Sequence, residues 1–317
     1  MAETKIEWAD YTFNHIRGCT KVSPACENCY ADTMSKRNPD VLGVWGKHGT
    51  RTIAAESYWK LPERWNREAE KAGKRFRVFC ASLADVFEGE DTMPENSLDA
   101  VNIARLRLFD LIERTPLLDW LLLTKRPELV YGIRQAAGYS AQLPNNVWIG
   151  TTVENQKYAD IRIPELLKIP AKVRFLSVEP MLGPVNLRHS YDSKFGGVLD
   201  FLKGIDTKLQ CNLPGKIDWV ICGGESGSNA RPMHPDWVRS IRDQCNAAGV
   251  PFLFKQNGEF VDIDTAIALG FTNSYDGKYQ PYTRIPETSL PFVRVGKKNA
   301  GRLLDGREWN ELPEVAR

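Results

Sequence analysis

The chain has 317 residues, 42% of them hydrophobic, enough to bury the core of one large α/β domain or two smaller ones. Its 42 basic and 40 acidic residues leave a formal net charge of +2, so the whole-chain charge predicts no polyanionic partner and leaves only a local basic groove open. No segment approaches the roughly 18 uninterrupted apolar residues of a membrane span, and Met1 to Trp8 carry no apolar signal run, so the sequence predicts a soluble cytoplasmic protein with no membrane partner.

In chain order, the first predicted strand, Thr12 to Ile16, runs into a loop holding Cys19, Cys26 and Cys29 at the spacing C-x6-C-x2-C. A helix from about Cys26 to Arg37 follows. The stretch 38–66, rich in Gly, Trp and charge, reads as a long excursion of the kind that covers an active site. Next come strand Arg77 to Ala81 and helix Ser97 to Arg114. Leu98, Val101, Ile103, Leu106, Leu108, Leu111 and Ile112 give that helix a broad apolar face, and Ser97 is placed to cap it. Further strands are predicted at Trp120 to Leu123, Val147 to Thr151, Arg174 to Val178, Asp218 to Cys222 and Phe252 to Phe254. A polar insertion near 187–215 precedes the sixth, and a helix from Asp236 to Ala248, between Pro235 and Gly249, precedes the last. The alternation predicts an α/β fold, a partial or near-complete (β/α) barrel over 1–260, with an irregular C-terminal extension at 261–317 packed on it.

Seven cysteines in a chain with no secretory signal argue against a disulfide framework. Cys80, Cys211, Cys222 and Cys245 are scattered; Cys19, Cys26 and Cys29 alone form a constellation. Three thiolates on a four-iron cubane leave one iron open to an exogenous ligand, whereas a structural zinc asks for four protein ligands.

Ligands of parallel β-α folds gather where strand carboxyl ends meet their loops. Here those ends are polar: Asn14; Ser82 and Asp85; Thr124, Lys125 and Arg126; Thr151, Thr152 and Glu154; Ser177 and Glu179; Gly223, Gly224, Glu225 and Ser226; Lys255, Gln256 and Asn257. Any one of them serves equally well as a solvated cap. Together they predict a mouth for a polar or charged ligand. Gly223 to Gly227 permits close backbone approach to a carboxylate or phosphate, without the spacing of a dinucleotide fingerprint.

With its cysteine triad after the first strand, the chain resembles the radical S-adenosylmethionine (SAM) superfamily. More closely, it resembles phage- and prophage-associated three-cysteine proteins within it. The matching segments are Trp8 to Asn14, the triad, Phe79 to Phe87, Leu123 to Pro127, Ser177 to Pro180, Gly223 to Ser226 and Leu304 to Trp309. The resemblance implies a [4Fe-4S] cluster on Cys19, Cys26 and Cys29 whose fourth iron is chelated by SAM. It also implies reductive cleavage of SAM to a 5′-deoxyadenosyl radical and hydrogen abstraction from a substrate. Tyr30 would lie near the adenine, and Ser82 and Asp85 would meet the SAM amine. Thr152, Glu154, Ser177 and Glu179 would contact the ribose and carboxylate, and Gly223, Gly224 and Glu225 either SAM or substrate. The triad departs from the commonest superfamily spacing, C-x3-C-x2-C, by three residues.

The implied substrate is a modified thymine base in phage DNA, altered by isomerisation or rearrangement, with an electron donor such as flavodoxin or ferredoxin. The residues offered for a nucleic acid are Lys125, Arg126, Arg231, His234 and Lys255 near the mouth and Lys297, Lys298, Arg302 and Arg307 in the tail. Trp45, Trp59 and Trp309 are the candidates for stacking bases. Two other readings stay open. One is a zinc-binding nucleic-acid or interaction module in which a histidine, His15 being nearest, completes the triad. The other is a hydrolase holding magnesium or manganese on Asp85, Glu154, Glu179 and Glu225.

Overall fold

The computed structural model describes residues 4, 6–188, 190–192, 197–206, 209, 211–271, 283–285, 288 and 290–314. Parts of the predicted 187–215 insertion and 261–317 extension lie outside the described residues. Seven strands make the main sheet: β1 (Tyr11–Phe13), β2 (Phe76–Cys80), β3 (Leu118–Thr124), β4 (Val147–Thr152), β5 (Val173–Val178), β6 (Trp219–Gly223) and β7 (Phe252–Gln256). They are neighbours in the order in which the chain visits them, the strand order of a partial (β/α) barrel and the α/β class the sequence predicts. The chain divides into two compact units, Met1–Thr152 with Arg162–Phe175, and Val153–Ile161 with Leu176–Arg317.

In the first unit β1 to β4 run parallel, with Phe13 opposite Cys80, Cys80 opposite Leu122 and Leu122 opposite Ile149. Such strands are covered on both faces, so they read as unbroken apolar runs, and Leu118 to Leu122 are all buried. Phe13 is the centre of an aromatic cluster, stacked on Tyr58 at 5.1 Å and edge-on to Trp59 at 5.5 Å and Trp120 at 5.7 Å. Trp120 keeps its indole N–H satisfied on the Thr115 hydroxyl, 3.0 Å away. Gly150 on β4 lies under Phe175, whose ring atoms would sit 2.5 Å from an added Cβ.

Several expectations need correction here. The first strand stops at Phe13 because the Asn14 amide donates to the Tyr58 hydroxyl and its side-chain oxygen accepts from Ser82 and the Leu83 amide. Ile16–Arg17 instead pairs antiparallel with Thr52–Ile53. About half of the stretch 38–66 is helix: Pro39–Leu42, Glu56–Trp59 and the start of α2 (Leu61–Ala72), after α1 (Tyr30–Arg37). Its tryptophans Trp59 and Trp65 belong to the core. In α3 (Leu98–Arg114) the buried stripe is Val101, Ala104, Arg105, Leu108, Leu111 and Ile112, while Ile103 and Leu106 are exposed. Ser97 stands at its N-cap without capping; its hydroxyl accepts the Arg51 amide at 3.3 Å.

In the second unit β6 and β7 pair in parallel, Ile221 opposite Leu253. α4 (Pro235–Ala248) starts where the His234 ring accepts the Asp236 amide and ends at Gly249, whose φ of 67° is the left-handed conformation of a helix stop. Within the predicted polar insertion, short antiparallel strands form a four-stranded sheet, Cys211–Asn212, Ile205–Asp206, Gly197–Asp200 and Ser190–Asp192. A three-stranded sheet, Phe260–Asp262, Pro291–Arg294 and Thr283–Arg284, orders part of the tail.

Replacing Gly150 by Ala drives a methyl into the Phe175 ring and is expected to cost about 1–3 kcal/mol. Denaturant melts measure this, and a Phe175→Leu change in the same chain is expected to recover part of the loss.

Candidate functional site

The cysteine loop begins at Gly18, whose φ of 103° and whose amide bond to the Leu83 carbonyl (2.9 Å) turn the chain out of the first strand region. An added Cβ there would meet the Thr50 carbonyl at 2.6 Å. A single turn of 3₁₀ helix, Pro24–Cys26, precedes α1, and Cys29 stands at the N-cap of α1 with its carbonyl accepting the Thr33 amide at 3.1 Å. The predicted helix from Cys26 therefore starts at Tyr30. All seven cysteines are free thiols; Cys26 is buried, and Cys19 and Cys29 are half-buried.

Cys19 is held by a buried network of charge. Arg126, at the end of β3, donates from Nη2 to the Thr20 carbonyl at 2.9 Å, from Nη1 to Asp85 at 2.9 Å, and from Nη1 toward the Cys19 sulfur at 3.8 Å. Glu88 accepts the Thr20 amide at 2.8 Å and pairs with Arg51 at 2.7 Å, both side chains almost fully buried. Arg51 reaches on to the Thr20 hydroxyl at 2.9 Å and the Gly46 carbonyl at 3.3 Å, and the Gly46 amide donates to the Cys19 carbonyl at 3.1 Å. Arg105 from α3 donates to the Val86 carbonyl at 2.8 Å and to the Glu88 carbonyl. Burial, with Glu88 and Asp85 adding to it, pushes the free Cys19 thiol up to about 12, against the opposing pull of Arg126. Burial works against ionised Asp85, yet Arg126 and donors from Lys125, Thr124 and Phe87 hold its carboxyl below the usual range.

The sequence-predicted contacts sort by what the fold does with them. Tyr30, half exposed, donates its hydroxyl to the Ser82 carbonyl at 2.7 Å, so the residue after the triad is tied to the loop after β2. The Ser82 hydroxyl donates to Asn14 at 3.1 Å. Asp85 is engaged by Arg126, Thr124 and two backbone amides. The Thr152 hydroxyl, at the end of β4, is buried with no hydrogen-bond partner, and an orphaned buried donor of this kind marks a place where a ligand or water belongs.

In the second unit, Glu154 is buried and its carbonyl accepts the Leu182 amide at 2.7 Å, while the Ser177 carbonyl accepts Val153 at 3.0 Å. Glu179 is bound by Lys255 at 2.9 Å and by the Gln256 side-chain amide at 2.9 Å, and the Gln256 side-chain oxygen Oε1 is buried without a hydrogen-bond partner. Glu225 accepts Arg231 through both oxygens, at 2.7 and 2.8 Å. The glycines lack Cβ atoms for the protein's own sake: one at Gly224 would lie 2.1 Å from the Asn257 carbonyl, and one at Gly223 would lie 3.3 Å from the Glu179 carboxylate. A groove of about 580 Å³ bounded by Gln156, Asn186, Arg188 and Gln244 contains none of the predicted contacts.

These placements bear on two alternatives. His15 is fully buried, stacked on Phe13 with its Nδ1 3.6 Å from the Cys80 sulfur, and is engaged in the aromatic core. Among the described residues no three His, Cys, Asp or Glu side chains are gathered at one point. Asp85, Glu179 and Glu225 each face their own cation, which argues against a shared divalent metal. The proposed nucleic-acid residues are likewise largely committed. Arg126, Arg231 and Lys255 sit in ion pairs, His234 caps α4, Trp59 lies under Arg107, and Trp309 is buried beneath Arg307. Sequence reasoning missed Arg51, Glu88 and Arg105, which belong to no motif; Arg105 alone carried a signal, a charge inside an apolar helical face.

The fold and site define an α/β protein with a sequentially ordered sheet and a triad of free thiols on the loop after its first strands. Residues 3–313 match the model of the family described as "Protein of unknown function (DUF5131)", and the chain belongs to that family. No curated protein matches it. Among solved structures it is similar to spore photoproduct lyase. Two single-substitution mutants give 13% and 14% identity at TM-scores of 0.42 and 0.43, over 92% and 93% of this chain and 70% and 71% of theirs. The lyase complexed with dinucleoside spore photoproduct gives 13% identity and a TM-score of 0.43, over 93% and 71%.

Two outcomes are expected from this region. Glu88→Gln leaves the Arg51 guanidinium buried without its counter-charge and should cost about 3–5 kcal/mol in equilibrium unfolding. His15 is lowered to about 3 by burial and the Arg105 charge, so between about 6.5 and 3 the unfolded chain binds a proton that the folded chain refuses. Stability therefore falls as pH drops through that window, by up to about 1.4 kcal/mol per pH unit from this group. A His15→Leu chain should show a correspondingly shallower slope in pH-dependent melts.

Proposed function

We propose that this protein is a radical SAM enzyme. The observation that carries the reading is the set of three free thiols on one loop, Cys19, Cys26 and Cys29, at the carboxyl end of a sheet of consecutive β-α units, with Cys19 facing a buried guanidinium. The donor set fits a [4Fe-4S] cluster: three thiols spread along a loop can each take a different iron, where a single ion needs them at one point. When bound, the cluster and SAM supply one-electron cleavage of a sulfonium and a carbon radical that takes hydrogen from a substrate.

The chain's own residues hold and enclose these groups. Tyr30, fixed on the Ser82 carbonyl, offers a half-exposed ring face beside Cys29 for the adenine. The orphaned Thr152 hydroxyl is a donor for a ribose or carboxylate oxygen, and Ser82, Glu154 and Ser177 supply further polar contacts at strand ends. Asp85 acts through Arg126 and Thr124, ordering the loop that carries Cys19. In the second unit the polar groups for SAM or substrate are Glu179, held by Lys255 and Gln256, and Gly223 to Glu225, with Glu225 paired to Arg231.

The substrate that the resemblance to phage-associated proteins points to is a modified thymine in DNA, with isomerisation or rearrangement of its substituent. Half-buried Lys125 and the exposed Lys297 and Lys298 are cations available for its backbone, and flavodoxin or ferredoxin supplies the electron. Anaerobic reconstitution is expected to give a brown protein with about four iron and four sulfide per chain that cleaves SAM on reduction. Alanine at Cys19, Cys26 or Cys29 should abolish cleavage, and wild-type protein that binds one zinc tightly and no iron would sink the proposal. Turnover with modified DNA, read by nucleoside analysis, tests the substrate separately.

A further inference from the structure

Around Cys19 the buried ionised side chains do not balance. Arg51, Arg105 and Arg126 bring three guanidiniums, while Asp85 and Glu88 bring two carboxylates, all five within the buried set. Glu90 also attracts Arg105, but it is exposed and screened by solvent. One positive charge therefore lies in excess in a low-dielectric interior, a costly arrangement unless an anion completes it. The bonding pattern shows which of the three cations reaches the triad. Arg51 spends its Nε and Nη2 on the two oxygens of Glu88, at 2.7 and 2.8 Å. Arg105 is spent on the Val86 and Glu88 carbonyls and the Asn102 side chain. Arg126 pairs with Asp85 at 2.9 Å and more loosely with Glu88 at 3.8 Å, and of the three it is the one that also points a donor at the Cys19 sulfur.

We propose that Arg126 is a positioning residue for the cluster, its guanidinium serving as counter-charge and hydrogen-bond donor to the Cys19 thiolate and thereby raising the cluster's one-electron reduction potential. The inference rests on the radical SAM reading of the site. It makes the three ligands unequal, because Cys19 carries this contact, whereas the polar neighbour given to Cys26 is the Ser23 hydroxyl at 4.0 Å. A donor pointed at a ligand sulfur withdraws electron density from the iron and stabilises the reduced state, while a buried cation does the same through space. Asp85 orients the fork through Nη1, and the Thr20 carbonyl anchors Nη2, so the sulfur contact is fixed by two bonds independent of any metal.

The test is potentiometric titration of anaerobically reconstituted protein with dithionite, followed by the electron paramagnetic resonance signal of the reduced cluster. It compares wild type with Arg126→Gln and Arg126→Lys, with iron, sulfide and circular dichroism measured on each. Gln removes the charge; Lys keeps it but loses the fork. The expected result is full iron and sulfide in both variants, a potential shifted negative in Arg126→Gln, and a smaller shift with an altered signal in Arg126→Lys. Loaded variants whose potential and signal match wild type would overturn the role of Arg126 while leaving the cluster assignment standing. Wild type that takes up no iron–sulfur cluster would overturn the underlying reading instead. Should Arg126→Gln fail to fold, Arg126→Lys decides alone: an unchanged potential and signal refutes the proposal.

Discussion

The bidentate Arg51–Glu88 pair is the constraint on which the cysteine region depends. Neither partner is on the cysteine loop's own turn, yet between them they seize the Thr20 amide and hydroxyl, and through Gly46 they reach the Cys19 carbonyl. A loop that must present three thiols has little apolar surface with which to order itself. It is ordered here by desolvated hydrogen bonds to charge, which are strong because water cannot compete and which fail abruptly when one partner goes. The segment 43–53, distant from the triad in sequence, is thereby part of the same construction.

How much of this was legible beforehand follows from the kind of interaction involved. The strands were readable because parallel strands buried on both faces leave continuous apolar runs, and six of the seven lie within a few residues of their expected places. The first strand was overrun because Asn14 and His15 carry no break signal; the break comes from Tyr58 and Ser82, which arrive from elsewhere in the chain. The helical character of 38–66 was hidden by its short pieces, and the small antiparallel strands of the second unit by their polarity. α3 misled more instructively. Its hydrophobic residues outline a broad face, but the buried stripe includes Arg105, because a guanidinium with fixed acceptors is at home where a leucine would be.

The candidate site was partly legible for the same reason. Cysteine spacing and polar strand ends announce chemistry because each is rare in its place. What those groups do once folded depends on partners at long sequence separation. Arg126 and Thr124 engage Asp85, arginines cover Trp59 and Trp309, and the Asn257 carbonyl lies close against Gly224.

That last contact reaches further than a single glycine. Gly224 and Gly258 are each pressed against the other's loop, a Cβ on Gly258 falling 2.4 Å from the Glu225 carbonyl, and the Gly224 amide bonds the Gln256 carbonyl. The turns after β6 and β7 are thus one interlocked piece of backbone. A side chain introduced at either glycine would meet the backbone of the opposite turn, so neither turn can be remodelled without the other.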